Sequence, residues 1–449
     1  MFDTVLIANR GEIALRVART CREMGIRSVA VCSTADLGSA VTRVVDEVVC
    51  IGPPAPRRSY LNVSAIIEAA RRTGAQAVHP GYGFLSEDPD FAEVCAAEGL
   101  TFIGPSPEIM ARLGDKARAR ATMAEAGLPV LPGGEHPPED AAEAKEAADA
   151  IGYPVILKAV AGGGGRGMKV VRDPRDLIRA FHETRAAARA VFGDGRLYLE
   201  RYVESARHVE VQVLLDDLGG GVHLGERDCS VQRRHQKLME ETPAPGLDPG
   251  LTTHICEAAV KAAAAVGFTG AGTFEFLVDG TDFFFMEVNC RIQVEHPVTE
   301  AVTGIDLIQK QIRVAAGLPL GLSQDDVVPA GHAIECRVNT EAPERGFAPT
   351  AGTLTDFRPP GGPFTRVDTH GHTGMTITPD YDSLLAKVIT WGEDREAALA
   401  RMDRALGEFV VEGHGVRTTT GLLRDVLREP AFRAARHDTM LLARMLGET

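Results

Sequence analysis

Apolar residues in the first hundred positions follow two rhythms. Short unbroken runs at 4–8 (TVLIA), 28–32 (SVAVC), 48–51 (VVCI) and 75–79 (AQAVH) read as buried strands. After the first run and the turn Asn9, Arg10, Gly11, the residues Ile13, Val17 and Cys21 recur at helical spacing. Strands alternating with helices predict parallel βαβ units and a doubly wound sheet, with ligands at the carboxyl ends of strands. The loop 79–87 (HPGYGFLSE) falls at such an end. No GxGxxG follows the first strand, so a dinucleotide site is not indicated.

The pattern changes near Gly114. A helix carrying Lys116, Arg118 and Arg120 leads to a Pro/Gly break at 128–134, an Ala/Glu-rich helix at about 139–150 and a strand at 154–158. A hairpin is expected over 212–224 around Asp216, Asp217 and Gly219-Gly220. A third segment starts near Gly331 with a strand at 332–338 and ends in helices rich in Arg, Leu and Met. The expected organisation is α/β followed by α+β: a doubly wound domain over 1–114, a central domain over 115–330 and a mixed domain over 331–449.

The strongest chemical signal is the alternation at 273–289, two strands around the turn 279–282 (DGTD). Even positions (Phe274, Phe276, Val278, Phe284, Met286, Val288) are apolar and predict one buried face. Odd positions put Glu275, Glu287 and Asn289 on the other. If the hairpin pairs about residue 281, Glu275 lies opposite Glu287, and two opposed carboxylates repel unless something cationic sits between them. Two carboxylates and an amide suit Mg²⁺ or Mn²⁺ that also binds phosphates. If the chain stays extended, the same face continues as Arg291, Gln293 and Glu295.

Residues 158–171 join Lys158 to a run of four glycines, Gly162 to Gly165, between two strands. Glycine lets successive N–H groups approach phosphate oxygens, and the absence of GK[ST] and of a following helix excludes a P-loop. A mobile hairpin suits a lid that closes over nucleotide and excludes water. The stretch 226–237 (ERDCSVQRRHQK) is polar at almost every position. Taken alone it reads equally as an exposed loop or as basic groups, Arg233, Arg234 and Lys237, gathered for an anion.

Composition narrows the class. Lys+Arg 48 against Asp+Glu 62 gives −14, which argues against nonspecific binding to nucleic acid or anionic membrane. No stretch offers the ~18 uncharged apolar residues of a membrane span. Asp3 and Arg10 spoil a signal peptide. The eight cysteines contain no CxxC pair, so reduced thiols in a cytoplasmic protein are expected.

At these residues the chain resembles the biotin carboxylase family of the ATP-grasp superfamily. The likeness runs through 7–14 (IANRGEIA), 79–83 (HPGYG), the glycine run, 226–230 (ERDCS), 291–297 (RIQVEHP), 331–337 (GHAIECR) and 381–385 (YDSLL). It implies a central ATP-grasp domain with a lid over about 131–203. It implies phosphate contacts from Lys116 and Lys158, with Gly163 and Gly164 in the lid. Glu200, Arg201, Tyr202 and Val203 would hold adenine, and His208, Gln232 and His235 would line the nucleotide site. Glu275, Glu287 and Asn289 would bind two Mg²⁺ or Mn²⁺ ions with ATP, Glu275 and Glu287 also touching the nucleotide. Lys237, Arg291, Gln293 and Val294 would hold bicarbonate, Glu295 would be the base, and Arg337 would lie near biotin. Departures are Ala161 for a fifth glycine, Arg201 for a common lysine, and 339–343 (NTEAP) for the usual NAEDP.

The only Met-Lys pair is Met168-Lys169, inside the lid, so no biotin attachment hairpin is expected on this chain. The resemblance then implies a carboxylase subunit acting on a biotin carboxyl carrier protein, beside carboxyltransferase subunits, as a homodimer. An acetyl-CoA carboxylase serving fatty-acid synthesis is expected, with propionyl-CoA, another acyl-CoA or pyruvate as the alternative acceptor. A different ATP-grasp ligase and a silent nucleotide-binding subunit are remoter alternatives.

Overall fold

The computed structural model describes residues 1–134, 136–161 and 167–448. The N-terminal sheet is five-stranded and parallel, in the order Glu47–Gly52, Arg27–Ser33, Thr4–Ile7, Ala77–His79, Thr101–Phe102. The helix Gly11–Glu23 buries Ile13, Val17 and Cys21 against it. The doubly wound expectation holds, and the 79–87 loop leaves the carboxyl end of Ala77–His79.

An eight-stranded antiparallel sheet forms the middle of the molecule. Its order is Asp282–Asn289, Gly270–Asp279, Arg207–Leu215, Gly221–Arg233, Gln236–Thr242, His332–Asn339, Leu384–Gly392, Thr365–Thr369. The sheet runs on past Gly331: Met239 pairs with Cys336 and Glu240 with Glu335. Strand alternation divides it into two faces. On Arg207–Leu215, Val209, Val211, Val213 and Leu215 enter an apolar core with Phe274, Phe276 and the helix Pro249–Ala265. Each such side chain contributes roughly 1.5–3 kcal/mol by burial. His208, Glu210 and Gln212 point the other way, and they are buried too. Here the second face lies beneath the helix His296–Thr303, whose Thr299 reaches Arg227.

A smaller sheet, Met168–Val171, Val155–Ala159, Leu197–Arg201, is backed by Ala141–Ile151 and Leu177–Phe192 and has its own core around Leu157, Phe181 and Leu199. Asp140 starts the first helix by accepting from Ala142 N and Glu143 N. Val155–Ala159 and Met168–Val171 pair as a hairpin. Gly163 and Gly164 lie outside the described residues.

The carboxylate hairpin has the expected register at its base, Glu275 opposite Glu287, and a different one at its tip. Beyond Glu275 the register shifts, so Phe276 faces Phe285 and Met286 is the extra residue of a bulge. One extra residue reverses the faces. Phe283 and Phe285, not Phe284 and Met286, are therefore buried in the core. The chain also does not remain extended after Asn289. It turns, and the helix His296–Thr303 begins directly after Glu295.

Candidate functional site

The buried second face of the large sheet is a connected set of charges centred on Lys237. Its Nζ donates to Glu210 Oε2, to Glu275 Oε1 at 2.8 Å and to Glu295 Oε1 at 2.8 Å. Lys237 reaches this face because the strand Gln236–Thr242 has irregular register with its neighbour, Gln232 lying opposite Lys237 and Val231 opposite Met239. Arg337 bonds the far oxygen of Glu295 at 2.7 Å and Glu240 Oε1 at 2.6 Å. Arg227, fully buried, donates to Glu210, Gln212, Thr299 and Thr273.

Of the three acids that share Lys237, Glu275 has the most partners. Its Oε1 also accepts from Asn289 Nδ2 at 2.8 Å and Gln293 Nε2 at 3.0 Å, and His208 Nε2 stands 2.8 Å from Oε2. Arg291 is gripped on three sides, by Glu87 Oε2 at 2.9 Å, Gln293 Oε1 at 2.6 Å and Asn289 Oδ1 at 2.7 Å. Glu87 holds the backbone as well, accepting from Cys290 N at 2.9 Å. Thus the 79–87 loop of the N-terminal sheet fixes a cation at the end of the carboxylate hairpin.

These contacts set the charges. Burial alone would push Glu295 up, but Lys237, Arg337 and Arg227 outweigh it and hold the carboxyl well below the usual range. Glu275 is held down in the same way by Lys237 and His208. Burial opposes the charge of Lys237, yet Glu210, Glu275 and Glu295 raise its pKa well above the ordinary value. Glu240 goes the other way. Burial, reinforced by Glu295, pushes it up to about 7 against the pull of Arg337.

A second group lies toward the smaller sheet. Lys158 pairs with Glu200, and Lys116 Nζ stands 3.7 Å from Glu287 Oε2. His235 lies at the exposed turn, and its crowded surroundings, with Lys158, His208 and Lys116 among them, lower its pKa. Arg201 is exposed and Tyr202 half-buried, its hydroxyl 4.0 Å from Met440 Sδ. Val294 offers its carbonyl to Lys387.

The expectation of an ion between Glu275 and Glu287 meets protein cations: Lys237 serves Glu275 and Lys116 serves Glu287. His208, Glu210 and Glu275 bring one donor atom each within 4.8 Å, but Lys237 already bonds both acids. The donor chemistry of Glu275, Glu287 and Asn289 still fits a hard divalent ion, with two carboxylates opposed on one face and Glu287 partly exposed.

The stretch 226–237 is not an exposed loop. It is a hairpin whose Arg227, Asp228 and Ser230 are buried. Nor do its basic groups gather: Arg233 pairs with Glu448 and stacks on Phe347, while exposed Arg234 forms the turn. Sequence reasoning missed Glu87, Glu210, Arg227 and Glu240. A strict alternation of polar residues with valines over 208–213 (HVEVQV) was the available signal for Glu210.

Comparison with known proteins identifies the family. Three family models match in order: "Biotin carboxylase, N-terminal domain" over residues 1–110, "Carbamoyl-phosphate synthase L chain, ATP binding domain" over 115–323, and "Biotin carboxylase C-terminal domain" over 335–444. A biotin carboxylase of Nostoc is 51% identical over 99% of both chains. The chain belongs to the biotin carboxylase family. Among solved structures, the biotin carboxylase of Campylobacter jejuni in an ATP complex superposes with a TM-score of 0.96 at 47% identity, covering 99% of both chains. The biotin carboxylase domain dimer of Hydrogenobacter thermophilus 2-oxoglutarate carboxylase, bound to MgADP, ADP and bicarbonate, also gives 0.96, at 45% identity over 99% of this chain and 98% of that one. The architecture read from the sequence is therefore that of the family.

Proposed function

We propose that this protein uses ATP and bicarbonate to carboxylate biotin carried on a separate biotin carboxyl carrier protein. The observation that carries the reading is the bonding of Glu295 to Lys237 and Arg337 beside the clamped Arg291.

Bicarbonate is a poor electrophile, and transfer of the γ-phosphoryl group converts it to carboxyphosphate. That step needs cations on phosphate oxygens and a base for the attacking hydroxyl. Glu295, held ionised, is the base. Lys237, Gln293 and the Val294 backbone border the same turn and orient bicarbonate beside it. Lys116 and Lys158 face the phosphates, and the resemblance assigns Gly163 and Gly164 to the lid. Glu200 to Val203, Gln232, His208 and His235 line the rest of the nucleotide cleft. Glu275, Glu287 and Asn289 would hold magnesium or manganese, which when bound neutralises phosphate charge. The mixed anhydride hydrolyses readily, so the lid must exclude water. Carboxyphosphate then breaks its C–O bond to the phosphoryl group, giving CO₂ and phosphate; the phosphate takes the proton of the biotin ureido nitrogen, and that nitrogen adds to CO₂. Arg291 stands where the developing ureido oxyanion needs a fixed cation, and Arg337 lies near the ring.

Membership of an acetyl-CoA carboxylase, and so of fatty-acid synthesis, is the first reading of the wider role. The assembly includes carboxyltransferase subunits and a homodimer of this chain, working in the cytoplasm. No helix among the described residues is long and apolar enough to cross a membrane. A 2-oxo acid acceptor is the second reading, because a relative with the same fold belongs to a 2-oxoglutarate carboxylase. ADP release is measured with Mg²⁺ and bicarbonate, with and without free biotin. Stimulation by biotin is expected, and its absence would refute the activity. Co-purification of a biotinylated partner and assay of its acyl acceptor decide between the two acceptors.

A further inference from the structure

The strand His332–Asn339 carries one acid, on the face that presents Arg337, and the proposed reaction does not use it. Glu335 precedes Arg337 by two residues, so strand alternation puts both on one side. It is fully buried, and neither of its carboxyl oxygens has a hydrogen-bond partner. Its cross-strand neighbour is Glu240, whose Oε1 accepts from Arg337 and whose Oε2 is also without a partner. Like charges directly opposed on a sheet repel, and an unpaired carboxylate away from water is costly.

The charged groups around Glu335 come from every neighbouring element. Glu240 lies on Gln236–Thr242 and Arg337 on its own strand. Lys387, on Leu384–Gly392, is fully buried and committed to Val294 O at 2.7 Å and Glu12 Oε1 at 3.0 Å. Asp368 lies opposite Lys387 but bonds Arg366. Glu295, on the turn before His296–Thr303, is taken by Lys237 and Arg337. His296 on that helix bonds the Gln293 carbonyl. Every cation in the set already serves another acceptor, and Glu335 is the one acid in it with none. Burial raises the Glu335 pKa well above the ordinary value. Lys387 and Arg337 oppose the rise, and Glu240 and Glu295 add to it.

We propose that Glu335 keeps its proton in the working enzyme and acts as a positioning residue: a neutral carboxyl opposite Glu240 leaves that carboxylate free to hold Arg337 against Glu295. This rests on the roles of Glu295 and Arg337 given above. Ionising Glu335 sets a second anion beside Glu240 and competes for Arg337 and Lys387. It thereby loosens the two contacts, Arg337 to Glu295 and Lys387 to Val294, that brace the turn bearing the base.

Glu335→Gln copies the neutral carboxyl and cannot ionise. The folded wild type holds a proton here that the unfolded chain releases, so its stability is present at low pH and lost as pH rises. As pH rises above the ordinary carboxyl value of 4.5, the wild-type melting temperature is expected to fall more steeply than that of E335Q. Glu335→Asp, which can still ionise, is expected to keep the steep dependence. The alkaline fall of kcat for biotin-stimulated ADP release is expected to move up by at least about one pH unit in E335Q. Parallel melting curves and superimposed kinetic profiles overturn the proposal. So does a kcat depressed about 100-fold at every pH in an E335Q that still melts cooperatively, because the working form is then the anion. The melting comparison needs no turnover. Missing biotin stimulation in the wild type would therefore refute the reaction while leaving Glu335 to be judged by melting.

Discussion

The two halves of the candidate site are prepared differently. Around Lys237, each acid already has a cation or an amide, the groups are buried, and the bonds run from strand to strand. Around Lys116 and Glu287 the groups are partly exposed, and their one pairing spans 3.7 Å. Under the proposed function, the difference matches what each half would bind. Bicarbonate is small and singly charged, so the protein must build its surroundings in advance. A nucleotide brings several negative charges and its own metal, and a cation without a tight partner, as Lys116 is here, is available to it.

The largest break of this comparison is Lys237→Met. Three buried carboxylates lose a shared partner, and removing one side of a buried ion pair costs about 3–5 kcal/mol. A comparable loss in urea unfolding, with turnover abolished, is expected. An unchanged midpoint would mean that the acids do not depend on Lys237. Arg291→Ala comes next, with ADP release falling about 10²–10³-fold while nucleotide binding is kept. Glu87→Gln tests the clamp and not the cation, and a smaller drop, about tenfold, is expected. If E87Q equals R291A, the carboxylate does more than orient the guanidinium.

The pH dependence sharpens the contrast between neighbouring acids. Glu275 and Glu295 are depressed in the fold, so their stabilisation is complete above the ordinary carboxyl value of 4.5 and is lost as pH falls below it. Glu240, raised to about 7, acts in the opposite sense: its contribution is full below 4.5 and lost as pH rises through about 7. Glu240→Gln should therefore flatten the decline in urea midpoint between those two values while leaving the acid limb below 4.5 in place. A midpoint that changes equally in both limbs would contradict the assignment.

How much of this was legible in the sequence depends on the range of the contact. Period-two alternation within one hairpin correctly put Glu275 opposite Glu287, because register there is set locally. The bulge at Met286 was not legible, since residues 283–286 (FFFM) are all apolar and residue type there does not tell one face from the other. Arg227 was legible only as one member of a polar stretch and Glu240 not at all, because charged residues are almost never fully buried unless paired, and their partners lie on other strands. Glu87 is 204 positions from Arg291, and no local pattern reports such a contact. The family resemblance supplied residue roles that spacing alone could not.

Glu287→Gln has the smallest expected effect on stability, and it is the variant that separates the two halves. The carboxylate is partly exposed and its contact with Lys116 is long, so a midpoint change within about 0.5 kcal/mol is expected. Turnover should nevertheless depend on it, because an amide contributes no charge to a divalent ion. The telling measurement is calorimetric binding of ADP with and without Mg²⁺. Loss of the Mg²⁺-dependent part, with metal-free binding retained, places the ion against this open edge of the hairpin. If instead Glu287→Gln unfolds the chain as readily as Lys237→Met does, the edge is as tightly built as the core of the site. The nucleotide half would then be no less prepared than the bicarbonate half.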